Sequence, residues 1–173
     1  FSPSSGINLY NVVVGNPEGF QSGNLLRIKR IYLDTKYSEL FSGRFHSRNI
    51  TVYAPELTLL KDGNGKFNIS DKLMGFFKKK SSLTYHVDEF NIESGRIDFN
   101  NDKRYGNKNI SMHIKNLSSA PGVKTIMKGA ADYAGGTIAF NGWAYLKDEP
   151  KKFGLAVSSG EISLSAFREL LEA

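Results

Sequence analysis

Three consecutive segments decide the fold class: Leu25-Leu-Arg-Ile-Lys-Arg-Ile-Tyr-Leu-Asp-Thr-Lys36, Tyr37-Ser-Glu-Leu-Phe-Ser-Gly-Arg44, and Asn49-Ile-Thr-Val-Tyr-Ala-Pro-Glu-Leu-Thr-Leu-Leu-Lys-Asp-Gly-Asn-Gly-Lys-Phe-Asn68. The first and third read as strands flanking a short helical turn. Ile31, Leu33 and Thr35 share one face, and Ile28 joins them only if a bulge near Lys29 or Arg30 resets the alternation. Ile50 and Val52 alternate with Thr51 and Tyr53. Pro55 has no N–H for a ladder, so it marks a bulge or an edge before Leu57 and Leu59 resume the apolar phase. Asp62-Gly63-Asn64-Gly65 then turns the chain.

Outward from this unit the same pattern recurs. Ile7 to Val14 is a strand, closed by a turn at Gly15-Asn16-Pro17-Glu18-Gly19. Leu83 to Ile92, Arg96 to Asn100, Asn109 to Leu117, Val123 to Tyr133, Thr137 to Leu146 and Phe153 to Ser158 read as further strands bounded by Gly, Asn, Asp or Pro. Phe90, Ile92, Ile97 and Phe99 carry the apolar phase through the first two of these. Ile110, Met112 and Ile114 carry it through the next, and Ile138 and Phe140 through a later one. Short strands with turns between them predict antiparallel pairing. Ser42-Gly43-Arg44-Phe45 is echoed by Ser94-Gly95-Arg96-Ile97, a weak sign of an internal repeat. Two segments read as short helices: Ser70 to Lys80, with lysines at its C-terminal end where the helix dipole favours cations, and Ser165 onward.

Leu40, Phe41 and Gly43, then Ile50, Pro55, Leu57 and Leu59, then Asp62, Gly65 and Asn68, stand in an order that resembles the AsmA family of bacterial envelope proteins. Asn16 to Phe20, an Asn-Pro-x-Gly-Phe turn, and the block from Val87 to Asp102 resemble further segments of that family. Together they cover about the first two thirds of the chain. Each element is degenerate, and their order is what is specific. The strand pattern predicts a mainly β fold of about 9–11 antiparallel strands with two or three short helices, which a sandwich, a closed barrel or a sheet curled around a groove would all satisfy. The resemblance implies the curled, groove-like sheet, its apolar concave side open to acyl chains. It implies bulk phospholipid movement between inner and outer membranes, a periplasmic location, and an anchor in the inner membrane supplied by a segment outside this sequence.

A chain of 173 residues suits one domain, here residues 1–173. Starting at Phe1 and breaking off in an interrupted helix, it reads as an excerpt of a longer protein. No apolar run approaches the roughly 20 residues of a membrane span. The sequence has no cysteine, and its formal net charge is +6, which favours anionic partners, either lipid head groups or nucleic acid, or serves only as a solubilising surface.

Catalytic signatures are not found, so no enzyme and no cofactor are expected. No Ser has Gly at both flanking second positions, and there is no P-loop. Asp62-Gly-Asn-Gly-Lys opens like a calcium loop but fails, because Lys66 and Leu73 stand where the fifth and twelfth positions need oxygen ligands. His46, His86 and His113 have no ligand-like spacing and read as structural or solvent-facing, so no metal site is expected. Glu89, Glu93 and Asp98 read as a solvated face rather than an acid/base pair.

The candidate site is therefore a surface carried by alternation: Ile28, Ile31, Leu33, Ile50, Val52, Leu57, Leu59, Phe90, Ile92, Ile97, Phe99, Ile110, Met112, Ile114, Ile138 and Phe140. Leu73, Met74, Phe76 and Phe77, followed by Lys78, Lys79 and Lys80, form either a membrane-surface anchor or a lid over that surface. Two functions fit: a lipid-conducting module, or a β-rich scaffold with a filled core that contacts envelope-assembly partners. Single-stranded nucleic-acid binding through Arg27, Tyr32 and Tyr53 is disfavoured, because the alternation turns most large apolar groups toward the predicted buried side.

Overall fold

The computed structural model describes residues 6–35, 44–69, 84–99, 102–133, 135–148, 150 and 152–160, with the backbone alone described over 102–108. These form eight strands: β1 (Ile7–Gly15), β2 (Asn24–Thr35), β3 (Arg44–Leu59), β4 (Thr84–Phe99), β5 (Asp102–Ser118), β6 (Lys124–Tyr133), β7 (Gly136–Tyr145) and β8 (Lys152–Ser159). They lie side by side in chain order in one sheet, with β1 and β8 as its outer strands. The sheet is open.

Two expectations are corrected. The sheet is mixed rather than antiparallel, because β3 and β4 run parallel, Arg44 opposite Thr84 through Leu59 opposite Phe99. A parallel pair needs a crossover of about a dozen residues or more, and residues 60–83 supply it. Among the described residues the strands number eight, against the 9–11 expected for the chain, partly because the stretches read as Leu83 to Ile92 and Arg96 to Asn100 fall in one strand, β4. β4 runs unbroken through Ser94-Gly95, and Ser94 absorbs the irregularity with a φ of 55°. Of the Ser42–Ser94 echo, Ser42 and Gly43 lie outside the described residues. No helix occurs among the described residues, and both predicted helices, including Leu73 to Lys80, lie outside them.

The expected reset of the alternation is present, and it is shared between strands. Apolar residues are odd-numbered before it and even-numbered after it in β1 (Ile7 and Leu9, then Val12 and Val14). In β3 they are even and then odd (Ile50 and Val52, then Leu57 and Leu59), as in β4 (Phe90 and Ile92, then Ile97 and Phe99). The residues between are Asn11, Ala54 and Ser94, with φ of 52°, 46° and 55°. On β2 the same break falls between Ile28 and Ile31. Pairing continues through Arg30–Tyr53 to Ile28–Pro55 without a register shift, because neighbouring strands change phase at the same row. The reset thus comes from a left-handed residue just before Pro55, and no residue is inserted.

One buried node ties the start of the sheet to the crossover. Asn68 is fully buried; its Oδ1 accepts from the Leu60 N–H at 2.9 Å. Its Nδ2 donates to the Thr58 carbonyl at 2.9 Å and to Asn16 Oδ1 at 2.8 Å. The turn before it closes as its sequence predicts: Asp62 Oδ1 accepts from the N–H groups of Asn64 and Lys66, and Gly65 takes a φ of 80°.

Candidate functional site

Side chains opposite one another on paired strands share a face. Following the register from β1 to β8 therefore traces rows across the sheet. One row reads Leu9, Ile31, Val52, Ile92, Met112, Gly129, Phe140, Val157. The next, on the same face, reads Ile7, Leu33, Ile50, Phe90, Ile114, Met127, Gly142, Leu155. Both are apolar from one outer strand to the other. At about 4.8 Å per strand spacing, each row is roughly 34 Å long.

The glycines in these rows are covered by a neighbour. A Cβ on Gly129 would lie 2.6 Å from Phe140 Cζ, so the Phe140 ring rests across Gly129. A Cβ on Gly142 would lie 3.3 Å from Leu155 Cδ1. Large side chains leaning over strand glycines keep the apolar surface continuous where a methyl group is missing. A depression of about 360 Å³ opens here, lined among others by Ile92, Met112, Ala130 and Phe140.

The opposite face is mixed: beside its polar central row runs one that carries Asn49, Glu89 and Lys115 but ends on Ile126 and Trp143. Its central row reads Asn8, Tyr32, Thr51, Asn91, His113, Lys128, Asn141, Ala156. Asn49 Oδ1 accepts from Asn91 Nδ2 at 2.9 Å and from Thr51 Oγ1 at 3.3 Å, and Asn91 Oδ1 lies 2.6 Å from His113 Nδ1. This network makes the two faces chemically distinct, which fixes the register.

Nine of the sixteen predicted surface residues fall in the two apolar rows: Ile31, Val52, Ile92, Met112 and Phe140, with Leu33, Ile50, Phe90 and Ile114. Beyond the phase break, Leu57 lies opposite Ile97, Leu59 opposite Phe99, and Ile28 opposite Pro55. Ile110 pairs with Gly95, and Ile138 with Ala131 and Ser159. The sequence reading missed the outer-strand members Ile7, Leu9, Leu155 and Val157, whose alternation was visible but whose place in a row depends on the register.

Most row members are half-buried, while Leu9 on β1 and Leu155 and Val157 on β8 are exposed. Among the described residues the buried apolar side chains are Leu25, Ile28, Leu60, Val87 and Tyr133, none of them in either row. The candidate acid/base carboxylates are engaged elsewhere: Glu89 lies 3.8 Å from Lys115 Nζ, and Asp98 accepts from Arg96 at 2.8 and 2.9 Å. Tyr53 carries the Arg30 guanidinium 3.9 Å from its ring centroid, which occupies the face a base would stack on.

No protein-family model and no curated protein matches this chain.

Proposed function

We propose that this chain is a non-catalytic lipid-binding and lipid-conducting module, in which the apolar face of the sheet curls around acyl chains and leaves head groups in solvent. The observation that carries the reading is the pair of apolar rows that cross all eight strands while staying half-exposed. Moving a phospholipid through water exposes its chains at about 0.8 kcal/mol per methylene, so roughly 15 methylenes cost about 12 kcal/mol. A continuous apolar strip removes most of that cost without any reactive group. Its length of roughly 34 Å is close to the thickness of a bilayer's hydrocarbon core, about 30 Å.

The resemblance to the AsmA family belongs to the same proposal, as do a periplasmic setting and an inner-membrane anchor outside this sequence. Two of the elements behind the resemblance touch, since Asn16 of the first turn bonds Asn68 of the Asp-Gly-x-Gly-x-x-Asn turn. The net charge of +6 favours anionic head groups.

Lipid extraction and mass spectrometry of the purified chain, beside a folded Phe140→Asp variant, tests the reading. About one phospholipid or more per chain, falling at least tenfold in the variant, supports it. A lipid-free parent with a cooperative melt points instead to a scaffold with a filled core.

A further inference from the structure

Parallel pairing does something here that the sequence hides: it sets His46 directly opposite His86 on adjacent strands. Their rings are 5.5 Å apart and tilted by 50°, so they converge rather than stack. His46 Nε2 lies 3.2 Å from Asp88 Oδ1, and His86 Nε2 lies 3.0 Å from the same oxygen. We propose that His46, His86 and Asp88 form a binding site for a borderline divalent cation of the zinc type.

Donor spacing is the first support. With metal–nitrogen bonds of about 2.0–2.1 Å, neighbouring ligand atoms stand about 3.3 Å apart in a tetrahedral shell and about 2.9 Å apart in an octahedral one. The two measured separations lie in that interval, and all three ligand atoms lie within 4.8 Å of one another. Ligand chemistry is the second. Two imidazoles and one carboxylate suit zinc and its neighbours better than calcium or magnesium, which prefer all-oxygen shells. The third is that Arg48, two residues after His46, directs its hydrogen bond to Asp34 Oδ1 at 2.9 Å. The three side chains are 47%, 40% and 42% exposed, so the remaining coordination positions face solvent and are open to water or to a ligand from another molecule. Both histidines sit on paired strands, which hold donors more precisely than loops do.

His46, His86 and His113 are all the histidines in the sequence, so each imidazole can be followed singly. The experiment is a zinc titration of the tag-free chain, read by long-range proton–nitrogen correlation of the imidazoles and by calorimetry. The proposal expects the His46 and His86 signals to move and saturate near one equivalent while His113 stays. It also expects affinity to fall about tenfold or more in His86→Ala and in Asp88→Asn. Unmoved histidines at tenfold excess zinc, equal movement of His113, or undiminished binding in both variants would overturn it. The wild-type spectra decide the matter even if a variant fails to fold.

Discussion

At the scale of single residues, the sheet's most committed polar group is Asn68. A buried amide with three partners is worth about 1 kcal/mol net per bond, and removing it strands the Leu60 N–H without an acceptor. Asn68→Ala should therefore destabilise the chain by about 3–4 kcal/mol in urea unfolding with an unchanged slope. Asn16→Ala removes the contact to Asn68 and the Asn16 Nδ2 bond to the Gln21 carbonyl, and should cost about 1–2 kcal/mol. Equal, small effects in both variants would mean that the node is not a staple. Both asparagines were legible as members of turns, since Asn before Pro and Asn after a Gly-rich turn are local signals. Their contact was not, because it joins positions 52 residues apart and depends on the whole β1–β3 register. The same limit hid the histidine cluster. His46 and His86 become neighbours only through the parallel pairing of β3 with β4, and strand alternation carries no information about chain direction.

Among the secondary-structure elements, the decisive feature is the shared phase break through Asn11, Ala54 and Ser94. A left-handed residue costs an L-amino acid with a Cβ roughly 1–2 kcal/mol, least for Asn, whose side chain bonds locally. Asn11 suits its position. Ala54 is the informative site, since glycine removes the steric cost while a β-branched residue increases it. Ala54→Gly should leave the melting temperature unchanged or raise it by a few degrees, with a gain of up to about 1 kcal/mol offset by chain entropy. Ala54→Val should lose about 2 kcal/mol or more. If valine is tolerated as well as glycine, the phase break is not held at this residue. The sequence showed this break in outline: the apolar phase visibly slips between Ile28 and Ile31 and again around Pro55. What it did not show is that the slips align, which is why the structure keeps its register where an inserted residue was expected. Splitting β4 into two strands was the same error, since Ser94-Gly95 has turn composition while its neighbours on β3 and β5 keep it in the ladder.

For the molecule as a whole, the open sheet leaves two kinds of surface that no other described residue covers: the apolar face and the backbone edges of the outer strands β1 and β8. The apolar rows end on Leu9 in β1 and on Leu155 and Val157 in β8, and these are exposed, as are Val13 and Phe153, the last at 73%. Outer strands in soluble proteins are commonly blunted by charge, proline or a bulge, because unpaired N–H and C=O groups template another strand. Here β8 has alternating Phe153, Leu155 and Val157 between Gly and Ala, so its apolar side chains and its open edge act together. A strand added beside it would extend both rows by one position and cover those side chains. The chain should accordingly associate in a concentration-dependent way, seen as a rising weight-average mass in sedimentation velocity from about 10 μM to several hundred. Leu155→Lys and Val157→Lys together should suppress that association at unchanged melting temperature, because exposed side chains contribute little to the fold of one chain but charges on an edge oppose pairing. A wild-type chain that stays monomeric over this range would show that its edges are already protected. A doubly substituted chain that still associates would place the contact on the apolar face instead, where Phe140→Asp should abolish it.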